Sequence, residues 1–155
     1  MRNEGCCTSS CTGPPGTGCD VGREHRAPFA ADIAKYTDLA VAKVRELFQL
    51  IDGEWEDSPF PGIKLIHFDH GPNAFAPDTG FVTLPAGLEF PKHSHHGFEV
   101  NYVLEGRLVD DDGTVYGPGD ALEKTVEDVH SFSVPEDRDT VIFVAQSGFD
   151  IIVPE

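Results

Sequence analysis

No apolar run in this chain approaches the roughly 20 residues a helix needs to span a bilayer, and positive charge is scarce. Eleven Lys+Arg stand against 27 Asp+Glu, a formal net charge of −16 over 155 residues. Such a field repels a phosphate backbone and an anionic lipid surface alike, so neither nucleic acid nor membrane is expected as a partner. The opening stretch MRNEGCCTSSCTGPPGTGCD lacks the apolar core of a secretory signal, and cytoplasmic residence is the expectation. The only four cysteines, Cys6, Cys7, Cys11 and Cys19, lie in that stretch. They lack the paired C-x2-C spacing of a zinc knot, although a small one completed by His25 is the functional alternative. In a reducing compartment they are expected as free thiols.

What is present divides the chain into four parts. Residues 1–28 are rich in Gly, Pro, Ser, Thr and Cys, with too little apolar surface to offset ordering entropy, so a disordered tail is expected. Residues 29–53 read as a helical extension. Within it Ile33, Tyr36, Ala40, Val44, Leu47, Phe48 and Ile51 recur at intervals of three and four, giving one apolar stripe over Phe29–Ile51. That stripe packs either on the outside of its own domain or against a protein partner. Residues 54–62, EWEDSPFPG, are an acidic, proline-bearing linker in which Trp55 and Phe60 are the anchoring side chains. Residues 63–155 break into many short β-rich segments bounded by Gly, Pro, Asn and Asp, the pattern of an all-β sandwich or barrel. The run TVIFVA at Thr140–Ala145 reads as a strand covered on both faces. Asp110-Asp111-Asp112-Gly113 reads as a hairpin tip with a solvated acid run.

The chemistry sits in GLEFPKHSHHGFEVNYVLEG, Gly87–Gly106. On a strand rising about 3.3 Å per residue, His93 and His95 share a face at a separation that allows both to grip one ion. Glu99 has the same parity but lies too far along a straight strand, so the chain must turn near His96-Gly97, where glycine permits a positive φ or a bulge. His130 is a fourth donor from a later hairpin. Imidazole nitrogen and carboxylate oxygen suit a divalent first-row metal. His67, His70 and His96 are expected at the surface or outside the ligand shell.

At these positions the sequence resembles the cupin superfamily. Gly87, His93, His95, Glu99 and Gly106 match every fixed position of its first motif, G-x5-H-x-H-x3-E-x6-G. Gly119 and His130 match the glycine and histidine of its second, while Thr125, Glu127 and Val134 replace the motif's proline, glycine and asparagine. The resemblance covers roughly Ile63 to Val153 and implies a β-barrel (a double-stranded β-helix, or jelly roll) enclosing one metal on His93, His95, Glu99 and His130.

The sub-pattern HSHHGFEVNYVLEGRL…DDDG…YGPGD…H looks like two branches of that superfamily. One holds small dioxygenases that cleave diketones or hydroxyacetophenones. The other is the zinc-binding cupin of ChrR-type anti-sigma factors. The expected cysteine pattern of the latter's separate N-terminal zinc domain is absent from the tail. The expected function is therefore an iron-dependent dioxygenase acting on a small diketone or hydroxylated aromatic ketone, with Glu99 also able to serve as a base. A zinc sensor that docks a protein through the Phe29–Ile51 helix is the alternative. Mn2+ and Ni2+ also suit the donor set. Phe81, Tyr102, Phe132 and Phe143 are the substrate-lining candidates, and a homodimer is expected from exposed barrel edges. A sugar-nucleotide isomerase is the weakest reading, since no phosphate cradle is evident.

Overall fold

A computed structural model describes residues 25–153. The cysteine-bearing stretch, with its expected disorder and its alternative zinc knot, lies outside the described residues. The chain is already anchored at Arg26, before the boundary expected at residue 29: the residue is 6% exposed and its guanidinium donates twice to Glu105 Oε2, at 2.8 and 3.0 Å.

Among the described residues eleven strands follow in order: β1 Glu56–Asp57, β2 Lys64–His67, β3 Asp78–Leu84, β4 Glu89–His95, β5 Glu99–Glu105, β6 Leu108–Asp110, β7 Val115–Tyr116, β8 Ala121–Lys124, β9 Val129–Ser133, β10 Thr140–Gln146 and β11 Phe149–Ile151. They form two antiparallel sheets, with neighbours β1-β2-β3-β10-β5-β8 and β11-β4-β9-β6-β7. The sheets face each other as a jelly roll without closing into a continuous barrel. The acidic linker contributes β1, which pairs with β2.

Strand parity decides what each face of the six-stranded sheet carries. On β3, β5 and β10, the residues Leu84, Val103 and Ile142 point to the opposite sheet and pack with Phe90, Leu108, Leu122 and Phe132. Their neighbours Phe81, Tyr102 and Phe143 point the other way, into a second core with the helices. This explains why β5 and β10 read as near-continuous apolar runs. Both faces are covered.

The helical extension is two helices rather than one. A 3₁₀ turn at Ala27–Phe29 leads into α1 (Ala30–Thr37), then α2 (Val41–Leu47) and a second 3₁₀ turn at Phe48–Asp52. Asp38 breaks the run, with φ 56° in the left-handed region and its N–H donating to Ala34 O at 3.0 Å. An aspartate tolerates this conformation better than most residues. The break is held from outside. Gly71 N donates to Thr37 O at 2.7 Å, and Asn73 N donates to Asp38 Oδ2 at 2.9 Å, so the β2–β3 loop plugs the gap. The apolar spacing runs on across Asp38, which is why periodicity alone does not reveal the interruption.

The stripe itself is spent on the chain's own sheet. Ala30, Ile33, Val44, Phe48 and Ile51 are buried together with Phe81, Tyr102 and Phe143. Fully burying such a side chain contributes about 1.5–3 kcal/mol. Trp55 anchors the next segment by donating from Nε1 to Ile51 O at 3.1 Å. No helix of the described residues is long and apolar enough to cross a membrane.

Val44 is wholly buried whereas Val41, on the same helix, is 38% exposed. Val44→Asp places an unpaired charge under the helices and is expected to cost about 3 kcal/mol or more. Val41→Asp should change stability by less than about 0.5 kcal/mol. Urea unfolding of the two variants checks this, and equal midpoints would show that the helices are not bound to the sheet as described.

Candidate metal centre

The site draws on both sheets. His93 and His95 stand on β4, and His130 stands on β9 directly opposite His93 in the ladder. Between Phe90 and His93 the β4–β9 register shifts, with Pro91 and Lys92 set against a single residue of β9. A proline has no N–H to give the ladder and sits naturally at such a bulge. The bulge also resets parity, so Phe90 and His93 both face inward although two residues lie between them, a spacing that on a regular strand would put them on opposite faces.

Beyond His95 the chain bends at His96-Gly97 and enters β5 with Glu99 as its first residue, carrying the carboxylate across from the other sheet. The turn is where the sequence places it, but its cause differs. Gly97 is not among the positive-φ glycines; a Cβ there would come within 2.8 Å of the Ser147 side chain, so the glycine is required for space. The motif glycines Gly87 and Gly106 do adopt positive φ, at 81° and 83°.

All four donors are buried, and one ligand atom from each lies within 4.8 Å of the other three. The orientation of the imidazoles is fixed from behind. His93 Nδ1 donates to Pro91 O at 2.9 Å, His95 Nδ1 to Asp128 O at 2.9 Å, and His130 Nδ1 to Asp110 Oδ1 at 2.7 Å. Carbonyl and carboxylate oxygens only accept, so each Nδ1 carries the proton and each Nε2 turns a lone pair inward.

His130 Nε2 is buried with no hydrogen-bond partner among the described residues. His95 Nε2 lies 3.2 Å and His93 Nε2 4.0 Å from Glu99 Oε1. A buried cluster of acceptors without donors between them is costly unless a cation occupies the middle. Metal–nitrogen bonds of about 2.1 Å place opposed ligands about 4 Å apart, so the observed spread fits one ion after a small contraction. The residues fit the group.

The surroundings favour the ligating forms. Burial pushes His93 down from the ordinary histidine range, which keeps the imidazole neutral. For Asp110, burial acts upward, but hydrogen bonds from His130 and Lys124 outweigh it and hold the carboxyl below its usual range. Lys124 Nζ lies 3.1 Å from Asp110 Oδ2. A carboxylate behind a ligating histidine orients the ring and raises its basicity. Asn101 Nδ2 donates to Glu99 Oε1 at 3.0 Å and steadies the fourth donor.

Asp110 departs from the solvated acid run that the sequence suggests. It is 3% exposed and serves the centre, whereas only the residues after it form the hairpin tip. Asp128 likewise carries no signal in the sequence. Its side chain closes the turn that stands in for the missing proline and glycine, with Thr125 N donating to Asp128 Oδ2 at 2.8 Å and Asp128 N to Thr125 O at 3.0 Å. The turn before His130 is thus made by other means.

His93 and Glu99 also line a cavity of about 270 Å³ between the sheets, walled by Phe60, Leu84, Phe90, Phe132, Ile142, Val144 and Phe149, with Asn101 and Gln146 as its amides. Of the four aromatic residues expected at a substrate, Phe132 lines this cavity. Phe81, Tyr102 and Phe143 do not; parity puts them beneath the helices. Their partners on the inner face, Val82, Ile142 and Val144, take the place expected for them. His96 pairs with Asp150 at 2.8 Å and His67 with Asp78 at 3.2 Å, while His70 sits between the carbonyls of Gly71 and Pro77, so none joins the cluster.

Residues 43–150 match the ChrR cupin-like domain. The chain belongs to that family. Solved structures agree on the cupin fold. One is the complex of SigE with the anti-sigma ChrR from Rhodobacter sphaeroides, at TM-score 0.57 and 23% identity, covering 67% of this chain and 55% of that one. This ChrR cupin-like chain therefore spans little more than half the length of that relative. An acetylacetone dioxygenase from Acinetobacter johnsonii matches at TM-score 0.52 and 15% identity, over 64% and 72% of the two chains. KdgF from Halomonas sp. matches at TM-score 0.51 and 22% identity, over 63% and 91%. No curated protein matches the sequence.

In this ChrR cupin-like domain, Asp110→Asn is expected to weaken divalent-metal binding by about 10–100-fold without unfolding the protein. His130→Ala, which removes a donor, should weaken it further. Competition against a chromophoric chelator measures both; wild-type affinity in the Asp110 variant would show that the carboxylate does not act on His130.

Proposed function

We propose that this chain holds one divalent metal ion on His93, His95, Glu99 and His130 and works as a mononuclear non-haem dioxygenase of a small diketone or hydroxylated aromatic ketone. The observation that carries the reading is shared lining: two of the four donors also form the wall of an apolar chamber, so the centre has an open side facing a dry space. Fe2+ is the ion that suits this activity, with Zn2+, Mn2+ and Ni2+ as competitors for the same donors. When bound, it supplies Lewis-acid polarisation of ligand oxygens and, as iron, one-electron chemistry with O2.

The chain supplies the rest. Phe90 and Phe149 pack edge-on to His93 at 5.1 and 5.4 Å and exclude water from the donors. Asn101 fixes one oxygen of Glu99, and that carboxylate is the acid–base group placed to take a proton from an enolisable ligand in the chamber. The likeness in fold to acetylacetone dioxygenases supports the substrate class.

A second reading rests on the family itself. A zinc-loaded centre with four protein donors has no open position, which suits a sensor or structural role. The ChrR of the SigE complex is an anti-sigma factor, and a protein partner of this chain would correspond to SigE. It would meet the outer face of the helices, where Val41 and Leu50 are exposed, because the apolar stripe is already buried. Homodimerisation through a sheet edge belongs to either reading.

Oxygen uptake separates the two. Iron-loaded protein is expected to consume O2 with acetylacetone or a hydroxyacetophenone, and neither zinc-loaded protein nor His95→Ala should. Protein purified without added metal that carries zinc, and that turns over none of these ketones with any metal, would leave the sensor reading in its place.

A further inference from the structure

The cavity is closed on one side by a segment that sequence reads as linker. Ser58–Ile63 arches from β1 to β2 and is braced within itself: Ser58 N donates to Ile63 O at 3.1 Å, Ile63 N to Phe60 O at 3.1 Å, and Phe60 N to Ser58 Oγ at 3.0 Å. Pro59 and Pro61 stiffen it further, and Gly62 turns it at φ 82°. The arch is therefore a preformed wall, and Phe60 is its inward wedge.

Phe60 lies 5.3 Å from Phe90 and 6.1 Å from Phe149, ring centre to ring centre. Those two rings are the ones that flank His93. A ligand with its polar end at His93 and Glu99 has its apolar body among these rings, Phe60 included. Among the described residues the chamber has no lysine or arginine in its lining, and one carboxylate already occupies it. In the metal-free protein a second anion there would be desolvated without a counter-charge.

We infer that Phe60 is the specificity-determining residue of this cavity, limiting it to compact, uncharged ligands with one polar end. This rests on the proposed metal centre only for the direction in which the polar end points. The size limit stems from the arch and the aromatic wall alone. Replacing Phe60 by alanine enlarges the chamber, and replacing it by tryptophan fills part of it.

Two readouts keep the proposal and the metal reading apart. Saturation-transfer NMR on metal-free protein tracks entry of acetylacetone, benzoylacetone and dibenzoylmethane, and the visible band of cobalt-loaded protein reports arrival at the centre. Wild type is expected to bind acetylacetone best. Phe60→Ala should narrow the gap to the phenyl-bearing ketones by about tenfold or more, and Phe60→Trp should widen it. Phe60→Leu shifts the order in the same direction as alanine and preserves the arch's apolar anchor should alanine unfold it. Acetoacetate, which differs from acetylacetone by its carboxylate, should bind the metal-free protein at least about tenfold more weakly. An unchanged order across the folded variants, equal binding of acetoacetate, or no entry of any ketone into wild type overturns the inference. Failure of wild type to take up cobalt defeats the metal centre alone, since the metal-free measurement still decides the role of Phe60.

Discussion

Three imidazole protons, each tied outward to a fixed oxygen, govern this structure. Pro91 O, Asp128 O and the Asp110 carboxylate take the Nδ1 hydrogens of His93, His95 and His130. With those protons committed, the three Nε2 lone pairs have nowhere to point but toward one another and Glu99. The outward ties come from a bulge, a turn and a buried strand residue respectively, so the backbone around the site is shaped by what must stand behind each ring. That is the usual architecture of a metal site whose outer partners set tautomer and angle.

The sheet behind the site solves a different problem. Both faces of the six-stranded sheet carry apolar residues that must be covered, and parity gives one face to the facing sheet and the cavity and the other to the helices. The consequence is functional. Because Phe81, Tyr102 and Phe143 are occupied in holding the helices, the cavity is walled by smaller aliphatic side chains on this sheet and by phenylalanines of the other. The helices thus act on the site only through the thickness of the sheet, and their apolar stripe is not free for a partner.

The residues whose roles depend on fixed spacing are legible in the sequence: the four donors, the turn before Glu99, most strands, and the strand covered on both faces. Roles that depend on what lies opposite are not. Inward and outward facing along β3, β5 and β10 cannot be read when both faces are apolar, because the period-two signal vanishes there. Asp110 looks like one acid of a solvated run, and only the meeting of β6 with β9 reveals it as the partner of His130. The helix break at Asp38 is imposed by a loop 35 residues later, and β1 is a strand because β2 lies beside it. In each case a long-range contact overrides a local pattern.

The open construction of the jelly roll gives the centre a second meaning. Three donors belong to one sheet and Glu99 to the other, and among the described residues the two sheets share no hydrogen-bonded ladder. An ion in the middle would therefore bridge them, and since the unfolded chain offers no such arrangement, its binding free energy adds to folding free energy. The same bridge would couple occupancy to the spacing of the two sheets. Catalysis and sensing make opposite demands on that coupling. An enzyme needs the coordinated geometry to persist while ligands enter past Phe60; a sensor needs the movement between the two conditions to reach its surface. The braced arch and the aromatic wall around His93 resist such movement on the cavity side, and in this they accord with the catalytic proposal.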